Sequence, residues 1–236
     1  MKPYRVFFSL ILIITFVSFP VGADQLSPPD KGWDEVQHGK NFAVYAKDVK
    51  GSDVQAVLLI GILNFPPEKV FNVCTDYAHF QDFMPYVQLS HVVKVEEPHK
   101  NERISYVFYY LSPPLISARY YTLKYTDQMN ITYKGTTGSY MNKWCLITDG
   151  IYHESPETPG IKKLLHNKHG IELKADQGYW VFVPLKGGKQ TKMSYYVVTN
   201  PGGSIPHWIQ NKAEKVSVGK LYDTVKRRLE NPKYAK

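Results

Sequence analysis

Few residues in this chain have the type and spacing that a reaction or a metal site requires. His166 and His169 are three residues apart and could share one face of a helix, but no third ligand follows at a fixed spacing. The sequence also lacks the serine-nucleophile, phosphate-loop, zinc-protease and dinucleotide-binding motifs. It therefore predicts no catalytic residue, no metal and no cofactor, although catalysis by residues that meet only in the folded chain stays open.

Arg119 is the charged residue whose position suggests the most chemistry. Residues 117–126 alternate in polarity, so Arg119 shares one face of a strand with Tyr121, Leu123 and Tyr125. The opposite face is more polar, and we expect the row of Arg119 to face the interior. A buried guanidinium cannot lose its charge and needs partners. Arg119 could either pair with an acid elsewhere in the chain or anchor the hydroxyl or headgroup of a ligand.

The surrounding sequence predicts consecutive strands that would position these side chains. Apolar or alternating segments bounded by turn residues, such as Gly187-Gly188, indicate strands. They lie at 33–49, 55–65, 87–97, 103–111, 117–126, 142–149, 171–184 and 191–199. On these other strands the inward-facing candidates are Phe108, Tyr110, Trp144, Leu146, Trp180, Phe182, Met193, Tyr195 and Val197. Pro66-Pro67-Glu68 suits the first turn of a short helix, which we expect to support the sheet.

The longest predicted element is a helix that follows the last strand. Residues 200–203 turn the chain, Ser204 can cap a helix, and no interior proline interrupts it between Pro206 and about Leu229. Its halves are apolar on nearly opposite faces: Ile205, Trp208, Ile209, Ala213 and Val216, then Val218, Leu221, Tyr222, Val225 and Leu229. Either the two ends pack against different neighbours, or the first half covers an apolar space while the second anchors the helix. Gly219, at the change, could allow a bend.

The first 23 residues have the features of a signal peptide. Lys2 and Arg5 precede an apolar run of about a dozen residues, and small residues end at Ala23. This run is shorter than the roughly 20 residues that span a bilayer, although an uncleaved anchor is the alternative. We expect cleavage near Ala23 and a periplasmic or secreted protein. Residues 24–32 would be a flexible leader, 33–231 one domain and 232–236 a tail.

Charge and cysteine content narrow the range of functions. The formal net charge is +8, or +6 without Lys2 and Arg5, which favours contact with anionic surfaces. No dense basic tract interleaved with aromatic residues predicts nucleic-acid binding. Aromatic residues make up 14% of the chain, which suits the lining of a large apolar pocket. Cys74 and Cys145 could pair in an exported protein or stay separate buried thiols.

Four segments in order resemble a START domain, the steroidogenic acute regulatory protein-related lipid transfer module. They are Val70-Phe71 with Asp76-Tyr77 and Met84-Pro85, then 113–119, Gly178–Pro184, and 200–211 before the terminal helix. The resemblance covers roughly residues 33 to 230 and implies an α+β helix-grip fold. In that fold a curved antiparallel sheet with small supporting helices wraps around a long C-terminal helix and leaves a lipid cavity between them. Family members often have Asp directly after the arginine, where this chain has Tyr120.

The resemblance also implies a function and a set of site residues. A monomer would bind one lipid, such as a sterol, hopanoid, fatty acid or phospholipid, and transfer it during transient contact with membranes. The implied ligand-binding residues are Phe108, Tyr110, Arg119, Tyr121, Leu123, Trp144, Leu146, Trp180, Phe182, Tyr195, Val197, Trp208, Ile209, Lys212 and Val216.

The loop at 111–117 and the terminal helix would form a lid, with Leu115, Ile116 and Trp208 touching the membrane. Alternatively, the two loop residues tuck into the core. Two other functions stay open within the same superfamily. One is a cavity enzyme resembling aromatase/cyclases or hydrolases, and the other is a chaperone that binds a quinone or polyketide.

Overall fold

The fold is a single large antiparallel sheet packed against a long C-terminal helix. The computed structural model describes residues 24–114, 116–148, 170–203, 205 and 207–232, without the side chains of residue 24 and residues 207–216. In these ranges the strands are β1 (Asp34–His38), β2 (Phe42–Asp48), β3 (Gln55–Leu63), β4 (Val87–His99), β5 (Glu102–Leu111), β6 (Arg119–Tyr133), β7 (Thr136–Ile147), β8 (Ile171–Glu172), β9 (Ala175–Leu185) and β10 (Gln190–Asn200). The helices are α1 (Pro67–Cys74), α2 (Phe80–Phe83) and α3 (His207–Glu230).

The strand order brings the two ends of the chain together. It runs β1-β2-β3-β10-β9-β7-β6-β5-β4, and every pair on this path is antiparallel, while β8 pairs in parallel with the start of β6. The hairpin predicted at Gly187-Gly188 joins β9 to β10, and both glycines have positive φ, at 65° and 84°. The pairing of β10 with β3 places the first three strands beside the last.

The sheet has a thickly packed inner face and a thinner outer face. On β5, Val107 and Tyr109 belong to the main core, whereas Phe108 and Tyr110 form a separate cluster on the other side. Small supporting helices cover the inner face at one end. Phe71 of α1 lies 5.9 Å from the ring of Phe182, edge to face. This contact anchors α1 over β9.

A buried carboxylate joins the segment after α1 to three strands. Asp127 on β6 has no exposed surface and accepts hydrogen bonds from Arg103, through Nε at 2.9 Å and a terminal guanidinium nitrogen at 2.7 Å. Tyr77 donates to it at 2.7 Å and Asn142 of β7 at 2.5 Å. A buried charge needs both an opposite charge and hydrogen bonds, and these residues supply both to the Asp127 carboxylate.

The second half of α3 anchors to the body, as the sequence predicted. Val218, Leu221, Tyr222, Val225 and Leu229 are all buried. The Tyr222 ring stacks on Phe42 at 4.8 Å and its hydroxyl donates to the carbonyl of Ile62 at 2.7 Å.

Gly219 allows α3 to lie close to β1 without interrupting the helix. A Cβ at this position would lie 1.9 Å from Oε1 of Gln37 on β1, so the bare backbone lets β1 and α3 meet. The side chains of the first half of α3, including Trp208, Ile209, Lys212 and Val216, lie outside the described residues, as do Ser204 and Pro206.

Three sequence interpretations concern the ends of the chain and the cysteines. Within residues 24–32, predicted to be a flexible leader, Leu26 is buried and its carbonyl accepts a hydrogen bond from Tyr45 at 3.0 Å, whereas most of residues 27–32 are exposed. Both cysteines are free thiols, with Cys74 buried on α1 and Cys145 exposed on β7. Across the described part of the chain, no helix combines the length and apolarity needed to cross a bilayer. Residues 1–23, the predicted signal peptide, lie outside it.

Candidate ligand-binding cavity

A cavity of about 270 Å³ lies between the inner face of the sheet and α3. Strands β5, β6, β7, β9 and β10 form its walls, and Ser217, Val218 and Leu221 of α3 cover it. The segment after α2 and the loop after β5 close one side. These two segments contribute Met84, Pro85, Tyr86, Pro113 and Ile116 to the lining, and Val87 at the start of β4 adjoins them.

Interlocking aromatic rings hold the walls apart. Tyr195 of β10 stacks on Trp144 at 5.4 Å and lies 4.4 Å from Trp180. On the neighbouring wall Tyr109 lies 5.5 Å from Tyr121. Rings that already pack against one another in this way have little freedom to collapse into the space beside them.

Gly178 explains how Trp144 reaches its position. The two residues are paired across β7 and β9. A Cβ on Gly178 would lie 2.3 Å from the Trp144 ring and 2.2 Å from the carbonyl oxygen of Tyr196. Only a glycine therefore leaves room for the indole to lie across the strand.

Arg119 lines the cavity, but its partners are backbone carbonyls. Its side chain donates to the carbonyl oxygens of Pro201 at 2.6 Å, Gly202 at 3.0 Å, Ala118 at 3.3 Å and Ser117. No ion pair among the described residues includes Arg119, so its observed partners differ from the acid considered from the sequence. Burial lowers the pKa of Arg119, but a guanidinium stays charged in proteins and here it fixes the turn that leads into α3.

The turn that surrounds Arg119 depends on two glycines. Gly202 and Gly203 have φ of 64° and 74°, in the region that favours glycine. The side chain of Asn200 accepts a hydrogen bond from the backbone N–H of Gly202 at 3.0 Å and holds the turn. The Pro201-Gly202-Gly203 segment thus directs carbonyl oxygens toward the guanidinium of Arg119. This contact explains why the turn needs these residue types.

Asp176 of β9 is the second charged group among the described residues of the cavity wall. The Trp144 indole N–H donates to Oδ1 at 2.5 Å, and the Thr199 hydroxyl donates to Oδ2 at 3.2 Å. Burial raises the pKa of Asp176 to about 6, although the two hydrogen bonds act in the opposite direction. No ion pair in the described ranges includes this carboxylate. The remaining surface of Asp176 faces the cavity that it lines.

The other polar groups of the wall stay neutral. Desolvation raises the pKa of Tyr109, Tyr121 and Tyr125, and it also raises the pKa of the Cys74 thiol. The Tyr125 hydroxyl donates to that of Tyr109 at 3.1 Å. The tyrosines therefore offer hydroxyl groups, and not charges, to a molecule inside the cavity.

The structure gathers part of the predicted site around this cavity. Arg119, Tyr121, Leu123, Trp144, Trp180, Tyr195, Val197 and Ile116 line it. Phe182 and Leu146 face the same core but do not reach the cavity, and α1 covers Phe182. The prediction for β5 is corrected by one residue, because Phe108 and Tyr110 face outward and Tyr109 and Leu111 line the cavity instead. Leu115, His166 and His169 lie outside the described residues.

Several lining residues were missed by the sequence analysis, and for some a signal existed. Asp176 is four residues before Trp180 on the same strand, so period-two alternation puts both on one face. The same rule connects Thr199 to Val197 and Tyr195. Cys74, Phe80 and Met84 belong to the helical region, whose distance from the sheet no strand pattern reveals. In the described ranges no group of three or more His, Cys, Asp or Glu side chains could hold a metal ion.

Comparison with solved structures supports the fold. A STAR-related lipid transfer protein from Xanthomonas axonopodis superposes with a TM-score of 0.67 at 20% identity over 85% of this chain and 100% of that chain. Human STARD10 gives 0.64 at 14% identity over 84% and 73% of the two chains. Human StAR-related lipid transfer protein 5 gives 0.65 at 12% identity over 84% and 86%. No family model matches the sequence, and no curated protein matches it.

These observations define a START-like helix-grip fold. The sequence resemblance predicted this fold, and the topology confirms it: a large antiparallel sheet holds a long C-terminal helix with a cavity between them.

Proposed function

We propose that this protein binds one hydrophobic molecule in the cavity beneath α3 and carries it between membranes of the cell envelope. The observation that carries the proposal is the space itself, about 270 Å³ walled by packed aromatic and aliphatic side chains. Enclosing an apolar molecule there removes its surface from water, which is worth about 25 cal/mol per Å². The similar solved structures include proteins named for lipid transfer, which supports a lipid as the guest.

The size of the cavity favours a compact guest. Ligand pockets commonly measure roughly 300–1,000 Å³, and 270 Å³ falls just below that range. A single acyl chain or a small sterol- or hopanoid-like molecule fits this scale better than a phospholipid with two chains.

Exit of the guest requires one part of the wall to move. Ile116 and Pro113 of the loop after β5 line the cavity, as do residues of α3. We propose that this loop and the first half of α3 form the lid. A net charge of +8 would favour contact with an anionic membrane surface.

The direct test is native mass spectrometry of the purified protein, followed by extraction and identification of any bound molecule. One lipid per chain, released on denaturation and exchanged into added vesicles, is the expected result. A protein that retains no lipid and takes none from vesicles would refute the proposal.

A second candidate is catalysis in the same cavity, and one observation favours it. The carboxyl of Asp176 has a pKa of about 6 inside a largely apolar space, and general acids and bases are tuned in this way. Turnover of candidate esters or polyketides that stops in an Asp176→Asn variant would support this function. Stoichiometric binding without turnover supports the carrier.

A further inference from the structure

Two charged groups line the cavity among the residues that the structure describes, and their free hydrogen-bonding capacity differs. The three nitrogens of Arg119 already face four carbonyl oxygens, two from consecutive residues of the turn and two from the residues just before β6. These bonds hold the guanidinium in the wall and make the turn rigid. Arg119 thus has little capacity left for the polar end of a guest.

Asp176 has the opposite character. Each of its oxygens accepts one hydrogen bond, from Trp144 and from Thr199. A carboxylate has about four acceptor sites, so roughly half of its capacity remains. Among the lining residues in the described ranges it is the only carboxylate, and it borders the empty space directly.

We propose that Asp176 is the polar anchor of the cavity and selects guests whose polar end is a hydroxyl group over guests that end in a carboxylate or phosphate. This inference rests on the proposed function, because it names the class of molecule that the same cavity takes. The hydroxyl group of the guest donates a hydrogen bond to a free acceptor site of Asp176, and its hydrocarbon body lies against the aromatic walls.

Exclusion of anions follows from the surroundings of the carboxylate. Two like charges at close range in a poorly solvated space repel strongly. The nearby Tyr109 and Tyr121 stay neutral and cannot compensate a second negative charge. Arg119 could compensate a second negative charge only if its hydrogen bonds to the backbone carbonyls were broken.

Asp176 also does not join elements of the fold in the way that Asp127 does. Its indole partner Trp144 is already held by Tyr195 and Gly178. A buried carboxylate without a cation partner is unfavourable for folding, and such groups concentrate at functional sites.

The test uses two probes of matched length, 1-decanol and decanoate, at pH 8. Binding is followed by the fluorescence of Trp144 and Trp180, which line the cavity, and checked by native mass spectrometry. The wild type should prefer the alcohol by about tenfold, the scale of one hydrogen bond to a charged group. Asp176→Asn should reduce this preference to roughly threefold or less. Asp223→Asn removes an exposed acid of α3 and should keep the wild-type preference.

The outcomes distinguish a failure of the Asp176 anchor from a failure of the carrier function. If the wild type binds both probes equally, or prefers decanoate, the inference fails although the carrier function stands. The same holds if Asp176→Asn binds both probes with the wild-type ratio. If the wild type binds neither probe, the proposed function fails as well. If Asp176→Asn does not fold, the preference of the wild type between the two probes still tests the inference. Thr199→Val, which removes the hydrogen bond to Oδ2 of Asp176, must then change that preference.

Discussion

Two carboxylates of the sheet differ in burial and in partners: Asp127 is fully buried, whereas Asp176 is partly buried. Asp127 has a guanidinium, a tyrosine hydroxyl and an amide as donors, and no part of it is exposed. Asp176 has only an indole N–H and a threonine hydroxyl, and it borders a cavity. The first arrangement completes a contact between elements, and the second leaves acceptor capacity facing an open space.

This difference distinguishes a carboxylate that stabilises the fold, Asp127, from one that we propose binds a guest, Asp176. The Asp127 set joins the segment after α1 to β5, β6 and β7 and needs nothing from outside the chain. Asp176 has two donors within the protein, and in our proposal a guest supplies a further one. Structural acids acquire partners within the protein, whereas a binding acid keeps part of its capacity unused.

The largest expected effect comes from removing a partner of Asp127. Arg103→Met leaves that carboxylate buried without its cation and should lower the free energy of unfolding by about 3–5 kcal/mol. Urea unfolding followed by circular dichroism measures the change. The double variant Arg103→Met/Asp127→Asn is the control, and it should recover part of the loss because no buried charge then lacks a partner. A loss below about 1 kcal/mol in the single variant would contradict the structural role of Asp127.

The matching change at the cavity should act in the other direction. The pKa of Asp176 rises from 3.8 to about 6 on folding, so the folded protein binds this proton more tightly than the unfolded chain. The resulting stabilisation is complete below about pH 4 and is lost as the pH rises through 6. Asp176→Asn removes the charge and should stabilise the protein at pH 8 by about 3 kcal/mol.

The pH dependence is the control for this second prediction. The difference between wild type and Asp176→Asn should shrink as the pH falls from 8 and should be small near pH 4. A variant that is less stable than the wild type at pH 8 would show that Asp176 is a structural acid like Asp127. The comparison between the two carboxylates would then be wrong.

Much of the fold was predictable from sequence because its signals are local. The alternation of residues 117–126 places Arg119, Tyr121, Leu123 and Tyr125 on the inner face, where all four line the cavity. The turn at 200–203 and the second apolar face of the terminal helix were also correct in kind. Turn residues and periodicity act within a few positions, so a single sequence records them.

What could not be predicted depends on contacts between distant segments. On β5 both faces are apolar and aromatic, so alternation could not decide between Tyr109 and its neighbours Phe108 and Tyr110. Asp176 lies in the polar run Lys174-Ala175-Asp176-Gln177, typical of exposed sequence, and its donors come from β7 and β10. The partners of Arg119 are carbonyls, which every residue carries and no sequence pattern marks.

The charge state of Asp176 should control how strongly the cavity binds an anionic probe. The probe 1-decanesulfonate stays ionised across the range, so only the protein titrates. Its binding to the wild type should strengthen about tenfold from pH 8 to pH 5, because protonation of Asp176 removes the like charge.

Among the described residues, the other titratable groups that line this site do not produce the same transition. The pKa of Tyr109, Tyr121 and Cys74 is raised, and Arg119 remains charged. In Asp176→Asn the binding of the sulfonate should therefore be nearly independent of pH. A transition of unchanged size in that variant would assign the effect to another group.

The smallest expected effect concerns the lid and should leave both carboxylates undisturbed. Ile116 lines the cavity from the loop after β5, and Ile116→Asp places a charge on this apolar tip. Transfer of a fluorescent lipid between vesicles should slow about threefold, since burying or inserting the charge costs on the order of 1 kcal/mol at a partly solvated site. The free energy of unfolding should change little, because the Asp127 contacts lie elsewhere. Val95→Asp alters an apolar residue of β4 that is 49% exposed and away from the lining, and should transfer at the wild-type rate. Equal slowing in both variants would mean that added negative charge, and not the lid, limits contact with the membrane.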